Sequence, residues 1–504
     1  MKTANPRFVA KLLALLFGTL FHKYESGLNL FIFDLAILLS LFHLDKSKFN
    51  SAAVKLFAAG SVLSSLLLIL NGSAWPVFTH HLSLFLLGGA LAMPELKSIH
   101  NHFFAAVFNI GLSIVSFFKR KITVRAGRSQ RVWYVLRVSM IPILVVVLFG
   151  TLYSKASPWF GELWLSIRSF LWEIFGDIFQ LLNIWWISSC IFGLFISAYL
   201  LFAKSYSYME NVELEQSEDL ERKKKAKMFS FSSMALKREY TIAIVTFVAL
   251  NLLILGQNIL DVVYVWVGFE WKGEFLKQFV HKGTYVLIIS ILLSAALVLY
   301  YFRANLNFFE KNKALKILVY IWLAQNAFLA LSVIARNIWY IQYFNLAYKR
   351  IGVFFFILAV GIGLVSVMMK VKHRKSVYYL LRKNLLAVYL IVLSIGVFNW
   401  DKIIAEYNFA HSDRAFVHLS FLSSLGDAAL PHLNRDLEDL KSMKQEQIKK
   451  FRRAENPMSP TDYQNLVNRR INNYKANYES KHWLEWNYSD WRAFKHLEAE
   501  QDLE

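Results

Sequence analysis

The sequence predicts an all-α protein, a polytopic bundle of transmembrane helices followed by a small soluble helical tail. The first observation is composition: of 504 residues, 56% are hydrophobic, and the mean hydropathy is +0.39. Both values lie outside the balance of a soluble domain. The second is that many uncharged windows reach the length of about 20 residues that a helix needs to cross a bilayer. The third is that Lys and Arg gather in short segments between these windows.

Apolar runs between polar breaks predict about twelve spans, and a count of about eleven to thirteen fits the pattern. The first run is short and contains Lys11, and the fourth and fifth are separated only by Pro94, Glu95 and Lys97, so the count is least fixed there. The predicted spans cover residues 8–22, 27–44, 52–70, 75–93, 100–118, 132–153, 180–203, 240–266, 283–302, 315–335, 351–369 and 383–399.

Four basic segments predict the orientation of the chain. They are residues 119–131, 204–238, 303–316 and 370–383. Two predicted spans separate each consecutive pair, so all four can lie on the cytoplasmic side, where Lys and Arg of short loops concentrate. Residues 204–238, which contain the run RKKKAK at 222–227, are therefore predicted to form a basic cytoplasmic loop. The tail, residues 401–504, is predicted to be extracytoplasmic, and the membrane to be a bacterial inner membrane.

The side of the N-terminus depends on the number of spans. With twelve spans it lies outside, and Lys46, Lys48 and Lys55 then fall on the side that basic residues avoid. Eleven or thirteen spans would remove this conflict. No small-residue cleavage pattern follows the first apolar run, so the first helix is expected to remain in the protein.

Two transmembrane bundles are predicted to flank the basic loop, an N-terminal one over residues 1–203 and a C-terminal one over 239–400. The first bundle includes residues 157–179, which start with Ser-Pro and carry apolar residues at helical spacing, interrupted by charges. This pattern is typical of an amphipathic helix in the outer membrane interface. A helix packed over the outer end of the bundle is the equally weighted alternative.

The tail is predicted to be helical. From Arg435 it reads as an exposed amphipathic helix, a break follows at 456–460, and a second helical stretch begins at Thr461. It ends in an aromatic cluster, for which a packed small core is the favoured interpretation and a site for a sugar or a lipid headgroup is the alternative. The cluster contains Trp483, Trp486, Tyr488, Trp491 and Phe494.

Short motifs in a fixed order mark the second half of the chain. The stretch RNIWYIQYFNLAYKR (336–350) contains Arg336, Tyr340 and Arg350 at characteristic spacing. The other motif positions are Asn251, Asn399, Asp401, Asn408, Asp427 and Pro431. On these residues the region from Glu239 to about Leu433 resembles the bacterial membrane proteins of the domain of unknown function 4173 family, related to the broader 4153 group. The resemblance implies a multi-pass membrane fold and no assigned activity.

Three positions depart from the family pattern. Phe344 stands where the family has Tyr. Asn345 stands where the family has Gly, and Asn is the non-glycine residue best suited to a left-handed turn, so the backbone shape is expected to survive. Ala347 stands where the family has Thr, which removes a hydroxyl.

Polar residues within two predicted spans form a candidate cavity. Gln257 and Asp261 are four residues apart and share a helical face, and Asn258 adjoins them. The span from 315 supplies the remaining candidates, Gln325, Asn326 and Arg336. An unpaired carboxylate in hydrocarbon costs about 2.5–3.5 kcal/mol, so Asp261 is expected to pair with Arg336 or to face water or a cation. The alternative is that the amides only hold helices together.

Other residue types narrow the function further. Asp34 is a second intramembrane acid, with a functional or pairing role. His80, His81, His100 and His102 lack a recognisable set of metal ligands, so neither a metal nor a cofactor is predicted. The net charge of +21 is attributed to membrane orientation, and nucleic acid is not an expected partner. The expected partners are the lipid bilayer, anionic lipid at 222–227, and a protein bound through the tail.

Three functions remain open. The favoured one is a non-catalytic envelope scaffold, sensor or accessory protein whose tail binds partners. The second is a membrane-embedded transferase acting on a lipid-linked substrate at the outer face, with Asp261 as the leading acid and Asp401 and Asp427 behind it. The third is a transporter, although no internal repeat supports it. Motifs of the common enzyme classes are missing from the sequence, so catalytic residues are unknown.

Overall fold

A computed structural model describes residues 5–119, 142, 145–181, 183–204, 213, 216–221, 233–268, 274–303, 305–451 and 458–501. The prediction of an all-α fold is confirmed: within these ranges the extended pairing is limited to an isolated bridge between Asp219 and Lys375. The chain divides into two compact units. One comprises residues 1–24 and 110–203, and the other comprises residues 25–109 and 204–504.

The helices follow one another with short connections. They are α1 (Pro6–Phe21), α2 (Leu28–Leu44), α3 (Ala52–Asn71), α4 (Ala74–Ala92), α5 (Ile99–Phe118), α6 (Val145–Ala156), α7 (Pro158–Leu181), α8 (Ile184–Leu201), α9 (Ser233–Asp261), α10 (Glu274–Tyr301), α11 (Lys313–Phe344), α12 (Tyr348–His373), α13 (Val377–Ile395), α14 (Trp400–Ala410), α15 (Leu437–Phe451), α16 (Pro460–Ser480) and α17 (Tyr488–Gln501). Every predicted span except 132–153 overlaps a helix, and most of 132–153 lies outside the described residues.

Seven helices of the described chain are long and apolar enough to cross a membrane. They are α3, α5, α8, α9 with the turn that follows it, α11, α12 and α13. The helix α2, the helix α6 and residues Tyr285–Tyr301 of α10 are shorter apolar helices. The protein is therefore a membrane protein.

Local sequence explains several helix ends. The Ser376 side chain accepts a hydrogen bond from the Tyr379 N–H and begins α13, and Asn399 begins α14 in the same way. The helix α3 ends at Gly72, whose φ of 62° lies in the left-handed region that glycine adopts without strain. Pro460 occupies the first turn of α16, where its missing N–H removes no helical hydrogen bond.

The unit formed by residues 1–24 and 110–203 is built on the pair α1 and α8. Gly18 and Gly193 permit close approach, because a Cβ at Gly18 would meet Cys190 and one at Gly193 would meet Phe17. Arg7 at the start of α1 donates to the carbonyl oxygens of Phe117 (3.0 Å) and Lys119 (2.8 Å). The predicted amphipathic segment 157–179 forms α7, with exposed apolar side chains.

In the second unit, three basic segments meet at one end, called here the basic end. Lys370 Nζ donates to the Phe302 carbonyl oxygen at 2.9 Å, and Lys375 pairs with Asp219 at 2.6 Å. The Arg382 guanidinium contacts Glu218. The basic end therefore contains the described parts of segments 204–238, 303–316 and 370–383. Residues 120–131 and the run 222–227 lie outside the described residues.

The basic end also receives α4 and α5. Glu213 accepts hydrogen bonds from the Lys97 backbone N–H (2.7 Å) and from the Asn101 amide (3.1 Å), and it contacts the Tyr378 hydroxyl. Ser51, just before α3, donates to the Pro94 carbonyl oxygen at 2.9 Å. The neighbouring Lys46, Lys48 and Lys55 thus belong to the basic end. This corrects the twelve-span expectation, which placed these lysines on the same side as the tail.

The helix α5 packs closely against α4. The Asn109 amide donates to the Gly88 carbonyl oxygen at 3.2 Å, and a Cβ at Gly89 would meet backbone atoms of His102 and Ala106. One turn of α4 therefore contacts two turns of α5. Asn109 also accepts a hydrogen bond from the Lys204 N–H at 3.2 Å, so these turns of α5 stay beside the basic segment 204–238.

The tail has its own hydrophobic core, formed by residues from α14 to α17 and the loops between them. Its fully buried members include Ile404, Leu422, Leu433 and Tyr463. The Tyr463 hydroxyl donates to the Leu433 carbonyl oxygen at 3.0 Å, which satisfies the one polar atom of this buried ring. The tail is thus a folded helical domain.

The aromatic cluster of the tail is not the packed core that the sequence favoured. Trp483, Trp486, Tyr488 and Trp491 are 37–60% exposed, and of this set Phe494 packs inward, stacked on Tyr478 at 4.4 Å between ring centroids. The core is supplied instead by aliphatic residues and tyrosines of α14–α16. The spacing of apolar residues near the C-terminus fits both a buried and an exposed aromatic cluster, so it does not distinguish them.

The tail docks on the ends of α2, α3 and α13. The Leu28 N–H donates to the Trp486 carbonyl oxygen (3.1 Å), and the Asn399 amide donates to the Asn71 carbonyl oxygen (2.9 Å) and the Ser489 hydroxyl (2.9 Å). Gly27 touches backbone atoms of Glu485, since an added Cβ would lie 2.4 Å from its carbonyl oxygen. Because α13 leads from the basic end to this contact, the tail and the basic segments lie at opposite ends of the unit.

The close contact at Gly27 predicts that Gly27→Ala loosens the tail. The added methyl would meet backbone atoms of Glu485, which cannot rotate away as a side chain could. We expect faster limited proteolysis of the tail in the purified full-length variant. Gly363→Ala is the matched control, because open space surrounds its Cβ position in α12. Equal cleavage rates in both variants would contradict the docking contact.

His432 predicts a pH dependence of tail stability. Burial lowers the pKa of His432 below its ordinary value, and the positive charge of Lys402 lowers it further. The unfolded chain therefore binds the proton first as the pH falls below about 6.5. Stability contributed by neutral His432 is present above that pH and decreases below it, until the folded form is protonated as well. We expect His432→Gln to flatten this decrease in thermal unfolding curves, whereas an unchanged slope would contradict it.

Candidate functional site

A seam of amide side chains joins α9 to α11. Asn251 donates to the Leu318 carbonyl oxygen at 3.1 Å and accepts from the Gln325 amide at 2.7 Å. Two turns further along α9, Asn258 donates to the Gln325 carbonyl oxygen at 3.2 Å. Both asparagines are buried. Interhelical hydrogen bonds of this kind fix two apolar helices in one register where the hydrophobic effect cannot.

The seam ends in a buried ion pair. Arg336 Nη2 donates to Asp261 Oδ1 at 2.5 Å, and Gln257 Nε2 donates to the same oxygen at 2.9 Å. The side chains of Arg336 and Asp261 are 4% and 2% exposed. The sequence predicted this contact from two spans that run in the same direction. The four-residue spacing of Gln257 and Asp261 explains why both reach one point.

Two tryptophans join the turn that follows Asp261 to α11. After Asp261 the helix widens into a π-helical turn, Val262–Val267, a feature that is frequent at functional sites. The Trp266 indole N–H donates to Ser332 Oγ at 3.1 Å, and the Trp339 indole N–H donates to the Val265 carbonyl oxygen at 2.8 Å. These bonds close the seam on the side of the tail.

Four oxygen atoms of the predicted cavity residues lack a hydrogen-bond partner among the described atoms. They are Asp261 Oδ2, Asn258 Oδ1, Gln325 Oε1 and Asn326 Oδ1. Asn326 donates to Trp322 on its own helix, so the structure does not bring it into the seam. Asp261 can accept one further hydrogen bond, but Arg336 already neutralises its charge. The arrangement can bind a donor group.

The family motif builds the corner between α11 and α12. The Asn337 amide donates to the Arg350 carbonyl oxygen at 2.9 Å, and the Arg350 guanidinium lies 4.5 Å from the Tyr340 ring centroid. Arg350 also donates to the Phe344 carbonyl oxygen at 2.6 Å. Asn408 of α14 holds the corner from outside: it accepts from the Leu346 N–H (2.8 Å) and donates to its carbonyl oxygen (3.1 Å). The motif residues at this corner therefore hold the backbone between α11 and α12 in its conformation.

Asn345 adopts the positive φ expected at this position, with φ 63° and ψ −175°. This combination is outside the small left-handed helical region and is favourable almost only for glycine, so it costs about 1–3 kcal/mol. We expect Asn345→Gly to have a free energy of unfolding about 1 kcal/mol higher than Asn345→Ala, since both variants lose the contacts of the amide with the Asn408 and Phe416 carbonyl oxygens and only glycine relieves the strain. Denaturant titration in detergent measures this change. Asn345→Ala is the control, since it removes the same amide and keeps the strain. Equal effects of both variants would contradict the explanation.

The remaining motif residues lie around one loop of the tail. Tyr348 donates to Asp401, and a Cβ at Gly426 would come within 2.8 Å of Asp401 Oδ2. Burial raises the pKa of Asp401, against the Gly426 N–H and the Arg470 charge, which favour the ionised form. Arg470 holds Asp427 at 2.5 Å and the Leu425 carbonyl oxygen at 2.7 Å. Asp401 and Asp427 are thus bound by neighbours.

Asn399 and Pro431 act at helix starts. Asn399 begins α14 by accepting from the Lys402 N–H at 3.1 Å, besides its contacts with α3 and Ser489. Pro431 lies in the first turn of the short helix Leu430–Leu433. Neither residue faces the ion pair of Asp261 and Arg336.

Asp34 lies apart from the seam, on α2. It is fully buried, and Ser65 Oγ of α3 lies 3.5 Å from its Oδ2. The histidines are also distributed: His80 Nδ1 faces the Ser61 carbonyl oxygen at 3.2 Å, while the His102 ring packs edge-on against Phe57. Among the described residues, groups of three or more His, Cys, Asp or Glu that could hold a metal ion are absent.

Two features of the site were not predicted from the sequence. The first is the grip of Asn408 on the Leu346 backbone, which joins the tail to the corner. The second is Glu213, which collects three contacts at the basic end. A single Asn or Glu in a polar stretch carries no periodic signal, and only the fold brings these residues to their partners.

The comparisons place this architecture in a family. The model of the domain of unknown function family DUF4153 matches residues 9–435. The chain therefore belongs to this family of proteins without an assigned activity. The 4173 label is not confirmed, and the match extends to the first half of the chain, beyond the region on which the resemblance was based. It ends before α15. Curated proteins and solved structures gave no match.

Proposed function

We propose that the protein is a non-catalytic component of the cell envelope, a scaffold, sensor or accessory protein, whose tail is a binding platform held on the membrane bundle. This proposal rests on the contacts that the candidate cavity residues make with one another. Gln257, Asp261, Gln325 and Arg336 contact one another and join α9 to α11. Residues that a transferase would need free for chemistry are thus engaged in packing.

The tail supplies a surface suited to binding. A cleft of about 400 Å³ lies between its helices. Amide and charged side chains dominate its lining, among them Asn434, Arg435, Gln464, Asn468, Asn472 and Lys475. Such groups offer both donors and acceptors, which favours a polar partner. The exposed tryptophans beside α2 offer a second, apolar surface at the end of the bundle.

The orientation follows from charge. We propose a multi-pass protein of a bacterial inner membrane with the basic end in the cytoplasm and the tail outside. The contact between Ser51 and Pro94, which places Lys46, Lys48 and Lys55 at the basic end, favours an odd number of spans, eleven or thirteen. This count also places the N-terminus in the cytoplasm and removes the conflict at Lys46, Lys48 and Lys55.

A deletion strain tests the proposed function. Its lipids and envelope glycans are compared with those of the same strain carrying the wild-type protein or the variant Asn472→Trp, which fills the tail cleft from an exposed position. A photo-crosslinker at Asn468 reports the partner in the wild type, and one at Val245 on the exposed face of α9 is the matched control.

If the protein is a scaffold, the deletion strain should have the same lipids and glycans as the strain carrying the wild-type protein. The crosslinker at Asn468 should then give a specific crosslink that Asn472→Trp abolishes. A modified lipid that is missing in the deletion strain and restored by the wild type would overturn the proposal in favour of the transferase.

A further inference from the structure

The carboxyl group of Asp34 is buried between α2 and α3. It lies two turns into α2, about 10 Å from the helix start at 1.5 Å per residue. Its neighbours on α3 are the hydroxyls of Ser61 and Ser65, and the second of these lies 3.5 Å from Oδ2. Its side chain is fully buried, and Oδ1 has no hydrogen-bond partner among the described atoms.

The charged surroundings of Asp34 differ from those of Asp261. Asp261 has Arg336 at 2.5 Å, whereas the ion pairs of the described residues do not include Asp34. The titratable group nearest to it through Ser61 is His80 of α4, whose Nδ1 faces the Ser61 carbonyl oxygen. His43 of α2 and Lys55 of α3 lie toward the basic end, and His81 turns to its own helix at Val77.

An ionised carboxylate in this position would be very unfavourable. Removing a lone carboxylate from water costs far more than two hydroxyl contacts return, so a buried acid without a cation neutralises itself by binding a proton. A sodium ion is disfavoured because the enclosure offers few oxygen atoms. The hydroxyl groups also stabilise a carboxylate only weakly, since Ser61 donates to the Ala58 carbonyl oxygen and Ser65 to the Val62 carbonyl oxygen, each at 3.0 Å.

We propose that Asp34 is a proton-binding site inside the membrane bundle, with Ser61 and Ser65 as its hydroxyl neighbours and His80 as the next titratable group. Further buried hydroxyl groups lie near this site on α3 and α4. They are Ser64, Thr79 and Ser83. This inference is independent of the proposed scaffold function, which concerns the tail.

Infrared spectroscopy tests the proposal on the purified full-length protein. A carboxylic acid has a C=O stretching band that a carboxylate lacks. We expect this band in the wild type at neutral pH and its loss in Asp34→Asn, with Asp261→Asn as the control that keeps it. A wild-type band that Asp34→Asn retains, or a wild type without the band, would overturn the proposal.

Labelling with dicyclohexylcarbodiimide, which reacts with protonated carboxyl groups in apolar surroundings, needs no variant. We expect peptide mapping of the wild type to find the adduct at Asp34 and not at Asp261, with labelling that decreases as the pH rises. Replacing choline chloride by sodium chloride should leave it unchanged. Protection by sodium would show a metal cation in the site and would overturn the assignment of a proton, as would labelling of Asp261 without Asp34.

Discussion

Arg336→Ala should lower the free energy of unfolding by about 3–5 kcal/mol, because it leaves the carboxylate of Asp261 buried without a counter-charge. The pair is almost inaccessible, at 4% and 2% exposure, so water cannot replace the guanidinium. Denaturant titration of the purified protein in detergent measures the change. We expect it to be the largest effect of any single substitution in the seam.

Two further variants make the result specific to the pair. The double variant Asp261→Asn with Arg336→Met should recover most of the loss, because replacing both partners of a buried pair is far less costly than removing one. Arg303→Ala is the matched control, since Arg303 is exposed at the end of α10 and stacks on Tyr300. A loss from the double variant that equals the sum of both single losses would contradict the pairing.

Asn408→Ala should be the second most damaging substitution, at about 2–4 kcal/mol, because it leaves two half-buried backbone groups of Leu346 unsatisfied at about 1–2 kcal/mol each. The effect should also be local. Hydrogen exchange should increase at the corner between α11 and α12 and at α14, because one side chain joins them.

Asn408→Asp tests the donor of this side chain. It keeps the acceptor for the Leu346 N–H but buries a carboxylate and turns an oxygen toward the Leu346 carbonyl oxygen, so we expect a loss at least as large as that of Asn408→Ala. Asn473→Ala, an exposed asparagine of α16, is the control for loss of an amide without a buried partner. Equal stability of Asn408→Ala and Asn473→Ala would show that the corner does not depend on this contact.

Much of the fold could be predicted because hydrocarbon restricts sequence so strongly. A span must be long, apolar and uncharged, and those properties are local, so the predicted runs overlap the observed helices. The side of a segment is less local. A count of twelve spans places Lys46, Lys48 and Lys55 with the tail, whereas the contact between Ser51 and Pro94 places them at the basic end. Tertiary contacts of this kind are not contained in the composition of a segment.

The site could be predicted where the periodicity of a single helix determines which side chains share a face. Gln257 and Asp261 share a face by periodicity, and their meeting with Arg336 followed from two parallel spans. Asn326 met the same criteria and yet bonds to its own helix, because rotation about the axis of α11 is set by packing. The prediction that the aromatic residues at the end of the tail form a packed core was wrong for a related reason. Their type favours burial, but the core was already filled by Tyr463, Tyr474 and aliphatic residues.

The central claim is that the tail and the basic segments lie on opposite sides of the membrane. It is tested most directly by a membrane-impermeant maleimide on intact cells, with Cys190 replaced by serine and a cysteine introduced either at exposed Asn473 in the tail or at exposed Lys372 in the basic end. The account predicts labelling of Asn473→Cys in intact cells and labelling of Lys372→Cys only after permeabilisation. Labelling of both positions from the same side, or the reverse order, would contradict it.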